Sequence, residues 1–341
     1  MTNPFTIILL VSVLLFTIAT ASAQAATDSL PDHPDVQRFI ATMAQRHTFT
    51  ERALTQLFKQ VRVRQQIITT ISRPAESKPW FQYRPIFITP KRISQGIAFH
   101  KKHAAELQHA ERIYGVPGEI ITAILGVETY YGQRQGHYRV IDALATLAFA
   151  YPPRSRFFRS ELEQFLLLAQ EEKIDPLSIH GSYAGAMGQP QFIASSYRRY
   201  AVDFNGDTRR DIWHDSADAI GSIANYLQQH GWRRGQPVAG QASIQGQAYR
   251  HYLQQGIKPH TLVSELKRRG ISLTSPLPGD RKAALIGLKN QSQREFWVVL
   301  NNFYVITRYN HSPLYAMAVY QLSEAIRLAR ASGQSRSDKP L

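Results

Sequence analysis

Cysteine is absent from this chain of 341 residues. That excludes a disulfide scaffold, a thiolate zinc site, a cysteine nucleophile and lipid attachment through a cysteine. Acidic charge is also scarce, with 25 Asp and Glu against 40 Lys and Arg and a formal net charge of +15. Such an excess points to an anionic partner, although it also serves solubility. No nucleic-acid-binding motif accompanies the charge, so nucleic acid is not the expected partner. Long apolar runs are lacking after the first residues. The one from Phe5 to about Thr20 is shorter than the roughly 18 to 20 residues that span a bilayer. Ala21, Ser22 and Ala23 follow it as an A-x-A cleavage pattern. Residues 1–23 therefore read as an export signal, with the mature chain beginning near Gln24. The n-region holds no Lys or Arg, which leaves an uncleaved anchor as the alternative. A soluble periplasmic protein without a lipid anchor is the expectation, one that meets anionic polymer of the cell envelope.

What is present is a folding composition: 43% hydrophobic, 11% aromatic and 19% charged residues. The length suits one large domain or two smaller ones. From Pro31 to about Ile71 the pattern is helical and polar. Ser72 to Pro90 holds four prolines and reads as an extended connection. Thr89 and Pro90 then form a helix start, since threonine caps free N–H groups and proline loses no bond at the first helical position. This helix is expected to run to about Tyr114. Further helices are expected from Pro117 to Gly132, Ser160 to Glu172, Ala217 to His230 and Leu314 to Ala331. Between residues 235 and 302 glycine and glutamine become frequent, and β-favouring runs occur at Ala283–Leu288 and Phe296–Leu300. The expected fold is mainly α (α+β): a helical region and core over 24–234, a small mixed insertion over 235–302, a helical part over 303–331 and a flexible tail over 332–341.

One carboxylate stands out. In GEIITAILGVETYYG, residues 118–132, Glu128 follows Leu125, Ile124 and Ile121 by three, four and seven residues. It therefore projects from the apolar stripe. Burial there would raise its pKa toward the range that a general acid needs at neutral pH. The alternative is a helix-end glutamate that reaches Arg134 or solvent. Gly126 leaves room for a substrate or for a close helix contact, and Tyr130 and Tyr131 offer flat surface for sugar rings or ordinary core packing.

The chain resembles the lytic murein transglycosylases of the membrane-bound B type. The likeness rests on FQYRPIFITPKRI (81–93), ILGVETYYG (124–132), VIDALATLAFAYPPRS (140–155), SYAGAMGQPQFIASSYRRYAVDFNGD (182–207), DAIGSIANYLQQHGW (218–232) and NNFYVITRYNHSPLYAMAV (301–319). It implies a lysozyme-like catalytic core acting on the glycan strands of peptidoglycan. It also implies that Glu128 alone acts as acid and then as base. The substrate's N-acetyl group would stabilise the developing charge, and its 6-hydroxyl would attack in place of water, leaving a 1,6-anhydro-N-acetylmuramoyl end. No cofactor is implied for this chemistry. Ordinary glycosidases need two carboxylates, and a hydrolytic muramidase using the same glutamate is the rival reading. A non-catalytic wall-binding scaffold is another. By the same resemblance Ser182 and Gln191 contact substrate, with Pro190 stiffening the turn before the glutamine. Tyr83, Tyr226, Tyr304, Tyr309 and Asn310 would line the groove. Arg154, after a proline pair, is expected as a solvated surface residue, with a contact to a stem-peptide carboxylate as the alternative, and cell-wall synthesis or division proteins are the candidate protein partners.

A second motif lies at DFNGDTRRDIWH. Asp203, Asn205, Asp207 and Asp211 take positions 1, 3, 5 and 9 of a calcium-loop pattern, with the backbone of Arg209 at position 7. Thr208 replaces the expected glycine, and His214 stands where a glutamate belongs. Asp218 is the candidate for the missing carboxylate. A structural Ca2+ or Na+ in the loop 203–218 is the expectation, weighed against a loop of self-bonding Asx turns.

Overall fold

The computed structural model describes residues 30–72 and 78–337, with side chains as far as residue 332. The expected export signal lies outside the described residues. Three helices lead: α1 (Pro34–Arg46), α2 (Glu51–Phe58) and α3 (Gln65–Ile71). Thr50 caps α2 by accepting from the Ala53 N–H at 3.2 Å. The next helix, α4 (Trp80–Phe87), occupies a stretch expected to be extended. Tertiary packing overrides the prolines here: Trp80 is fully buried and Tyr83 nearly so.

Thr89 and Pro90 start α5 (Pro90–Lys102), and the Thr89 side chain accepts from the Arg92 N–H. The expected single helix breaks at His103, whose backbone leaves the helical region at φ −111°, ψ 34°. A separate α6 (Ala104–Tyr114) follows and ends on Gly115 in the left-handed conformation. Then comes α7 (Gly118–Thr129), buried on nearly all sides. It stops three residues before Gly132, because Tyr130 caps it with a left-handed backbone.

A two-stranded ribbon pairs β1 (Tyr138–Arg139) with β2 (His180–Gly181), antiparallel. Between these strands run α8 (Val140–Ala150) and α9 (Ser155–Glu171). Buried Asp142 on α8 accepts from the Arg62 N–H and from Arg139, and pairs with Arg64. This fastens the leading helices to the core. After β2 come α10 (Ala194–Tyr200) and α11 (Ser216–Gln229).

The region after α11 forms a five-stranded antiparallel sheet. Its strands are β3 (Ala239–Ile244), β4 (Thr261–Leu262), β5 (Ile271–Leu273), β6 (Lys282–Lys289) and β7 (Arg294–Val299), in the order β4-β6-β7-β3-β5. Two short helices span Tyr249–Gln254 and Val263–Arg268. Neighbouring residues of β6 serve different cores. Ala284, Ile286 and Leu288 join the main helical core, while Ala283 and Leu285 join a smaller one with Val263 and Leu266. That two-sided burial is why the strand reads as an unbroken apolar run. Buried Asn302 closes the base of this unit: it accepts from the Arg233 N–H and donates to the carbonyls of Arg233 and Gln236.

Two helices complete the core, Asn301–Tyr309 and Pro313–Ser337, the last packing against α4, α5 and α7. Backbone helix continues through residues 332–337, within the stretch expected as a flexible tail.

Candidate active site

Glu128 lies one residue before the end of α7. Every residue from Ile120 to Gly126 is buried, so the helix delivers a carboxyl group into a setting already stripped of most water. Glu128 keeps a partly exposed edge. Even so, the surrounding protein pushes its carboxyl up to about 7 by desolvation, opposed only by a hydrogen bond from Tyr315. No cation or second carboxylate among the described residues contributes to that shift. Arg134, the alternative partner, instead lies over the Tyr130 ring at 5.1 Å.

The Tyr315 hydroxyl donates to Glu128 Oε1 at 2.6 Å. Tyr315 is 2% exposed, and burial together with the nearby Glu128 charge raises its own pKa well above the usual phenol value. It therefore remains a proton donor. Tyr309 lies parallel to it, 6.4 Å between centroids and 7° between planes, and donates its hydroxyl to the Pro190 carbonyl at 2.5 Å. Behind Tyr309 stands Tyr226, edge-on at 4.9 Å, with its hydroxyl donating to the Arg308 carbonyl. Tyr226 is thus a buttress for Tyr309, and its hydroxyl is not free for a sugar. Tyr83 approaches Tyr315 closely enough to influence it electrostatically, and its ring packs on Phe87 at 5.1 Å.

Gln191 has a left-handed backbone, φ 52°. Its amide donates to the carbonyls of Gln135 and Gly188. Ser182 Oγ accepts from the N–H groups of Ala184 and Ala186, at 3.3 and 3.0 Å, which leaves its proton to donate. Asn310 ends the helix Asn301–Tyr309, and its side-chain amide has no partner among the described residues. Tyr304 lies against the Arg308 guanidinium at 4.5 Å. No contact among the described residues joins Tyr304 or Ser182 to Glu128. Exposed Arg154 rests on Phe157 and Phe158, as a solvated arginine does.

The glycines serve the protein's own packing. A Cβ on Gly126 would stand 2.7 Å from the Tyr131 ring. Tyr131 fills that notch and donates to the Arg92 carbonyl at 2.7 Å. A Cβ on Gly185 would meet Leu144 at 2.4 Å, and one on Gly188 would meet Ile212 at 2.7 Å. Room for substrate is not what these positions provide.

The acidic loop is closed by its own hydrogen bonds. Asp203 accepts from the N–H groups of Gly206, Asp207 and Thr208, and Asn205 accepts from Asp207. Asp207 accepts from Arg209, and Asp211 from Trp213 and His214. Thr208 keeps the left-handed backbone expected of a glycine, φ 73°. Asp218 is fully buried, and its two oxygens accept from Phe204 and Asp211 N–H at 2.7 and 2.8 Å. It anchors the loop backbone from inside. Among the described residues no three His, Asp or Glu are arranged to hold a metal. Asx turns shape the loop in this structure. A cavity of about 930 Å3 lies beside it, lined in part by Lys173, His180, Arg209 and Trp213. Glu128 does not line it.

Tyr315 was missed by reasoning from sequence. Its signal was a lone tyrosine among small apolar residues at the start of the last helix.

Residues 31–324 match the model of the transglycosylase SLT domain. The chain is 42% identical over 309 residues to membrane-bound lytic murein transglycosylase B of Escherichia coli K12, covering 88% of this chain and 84% of that protein. Soluble lytic transglycosylase SltB1 from Pseudomonas aeruginosa superposes with a TM-score of 0.83 at 50% identity, over 87% of this chain and all of that one. The E. coli lytic transglycosylase Slt35 in complex with calcium gives 0.79 at 42%, over 87% and 94%. SltB3 from P. aeruginosa in complex with NAG-anhNAM-pentapeptide gives 0.76 at 31%, over 88% and 80%. With a lysozyme-like helical core, a buried carboxyl group and these matches over most of its length, the chain belongs to the lytic murein transglycosylase family defined by the SLT domain.

Proposed function

We propose that the enzyme cleaves the β-1,4 bond between N-acetylmuramoyl and N-acetylglucosamine residues of peptidoglycan, with Glu128 as sole acid and base. The observation that carries this reading is the carboxyl of Glu128, raised to about 7 by burial, with Tyr315 its one hydrogen-bond partner among the described residues. Near neutral pH such a group is protonated often enough to donate to the glycosidic oxygen as the C–O bond breaks. The resulting carboxylate is stabilised by the Tyr315 hydroxyl. It then takes the proton of the muramoyl 6-hydroxyl as that oxygen bonds to the anomeric carbon. The proton count closes, and the product is a 1,6-anhydro end. The substrate's own N-acetyl group supplies the charge stabilisation that a second carboxylate gives in other glycosidases. The P. aeruginosa relative bound to an anhydro-muramoyl ligand supports this outcome. No ion is needed in any step; calcium in the loop rests on likeness to the calcium-bound E. coli relative alone.

Tyr309 and Asn310 would offer a sugar an aromatic face and a free amide beside Glu128, with Gln191 and Ser182 on the facing loop. The site is read as periplasmic from the export signal; among the described residues no helix is long and apolar enough to cross a membrane. The direct test is mass analysis of the muropeptides released from purified sacculi. Anhydro ends support the proposal; reducing ends alone would mean that water attacks and that the enzyme is a muramidase.

A further inference from the structure

Two guanidinium groups flank Tyr130, two residues after Glu128 in sequence, and no carboxylate among the described residues pairs with them. Arg92 and Arg134 lie over the same ring, Tyr130, at 4.7 and 5.1 Å from its centroid. Neither forms an ion pair with any described residue. Arg92 is 8% exposed. One of its donors goes to the Ile86 carbonyl, and its Nε is buried without a partner. Burying an unpaired cation is expensive, and such groups are ordinarily matched by an anion. Desolvation presses the Arg92 pKa down and the neighbouring Arg134 adds to this, with only tyrosines opposing.

Tyr130 and Tyr131 are both left-handed, φ 55° and 62°, a conformation that bulky residues rarely adopt. Packing explains Tyr131, which fills the notch at Gly96 and Gly126. Tyr130 is the left-handed C-cap of α7, and its side chain stays partly exposed between the two arginines, two residues from Glu128 in sequence. The wall is continuous with the reacting group. Tyr315 neighbours Tyr83, Tyr83 packs on Phe87, and Arg92 lies over Phe87 at 5.3 Å.

We propose that Arg92, Tyr130 and Arg134 form a carboxylate-binding subsite that engages the peptide stem of the muramoyl residue at the cleaved bond. This rests on the function proposed above. A guanidinium matches a planar carboxylate through two parallel N–H bonds. On intact strands the anions available are the stem carboxylates, because the lactyl group that carries the stem is itself tied up as an amide. The stem is carried by the sugar whose anomeric carbon Glu128 acts on, so in this proposal it reaches the wall that runs from Tyr315 through Tyr83 and Phe87 to Arg92.

The test uses the whole enzyme on two substrates: strands with native stems, and the same strands with stem carboxylates converted to methylamides by carbodiimide coupling. Arg134 is exposed and unpaired, so Arg134→Gln folds normally. On native stems its KM is expected to rise about tenfold, the usual effect of one charge-assisted contact, with kcat little changed. Amidation, which removes the partner of both arginines, is expected to raise the wild-type KM by at least that factor and to abolish the difference between the two proteins. Arg134→Lys, which keeps charge but loses the planar fork, falls between. An equal loss for Arg134→Gln on both substrates, or no loss on either, overturns the subsite. Absence of anhydro products from the wild type on both substrates instead defeats the proposed function itself.

Discussion

The hydroxyl of Tyr315 and the carboxyl of Glu128, 187 residues apart in sequence, meet at 2.6 Å. This is the contact that opposes desolvation and keeps Glu128 from rising further. It also gives the glutamate a fixed donor at the moment when it becomes charged.

Removing that donor has a definite sign. In Tyr315→Phe the acid form of Glu128 persists to higher pH, so the basic limb of the kcat profile moves up. At neutral pH kcat falls roughly tenfold, because a charge-assisted hydrogen bond contributes about 1.5 to 3 kcal/mol to the carboxylate state. A pH profile of both proteins on purified strands checks this. An unmoved basic limb would separate Tyr315 from Glu128 ionisation.

Glu128 also makes stability depend on pH. Its carboxyl titrates at about 7 when folded, against 4.5 ordinarily. Between those values the folded chain holds more protons than the unfolded one, so stability falls as pH rises through the window. The full loss by pH 8 is roughly 3 kcal/mol, reduced by the partial exposure of the side chain. Glu128→Gln should remove this dependence and melt higher than the wild type at pH 8, while the two proteins converge near pH 4. Thermal melts across that range measure it.

Asp218 anchors the acidic loop from inside. Asn at this position keeps one acceptor and turns an amide N–H toward a backbone N–H. Asp218→Asn is therefore expected to destabilise the protein by about 1 to 3 kcal/mol, a drop of several degrees in melting temperature. Chelator added to the wild type should leave the cleavage rate unchanged, since no step at Glu128 needs an ion. Melting curves and initial rates, with and without chelator, decide both points.

The local signals in this sequence were informative and the long-range ones were not. Glu128 was legible because helical spacing alone places it on an apolar stripe, and the Thr89–Pro90 start followed from capping chemistry. Its partner Tyr315 was invisible because nothing local marks a contact across 187 residues. The helix α4 was hidden by prolines whose cost is offset by burial of Trp80. Gly126 was ambiguous until Tyr131 was seen in its notch. Asp218 had calcium-ligand spacing, yet spacing cannot reveal that its two oxygens also hold the backbone N–H groups of Phe204 and Asp211.

The central claim is that Glu128 alone performs both proton transfers. Digestion of purified sacculi by the wild type and by Glu128→Gln, followed by mass analysis of the soluble muropeptides, tests it most directly. The wild type should release anhydro-muramoyl products, and the variant, folded and still able to bind the wall, should release none above background. Equal release of anhydro products by the two proteins would contradict it.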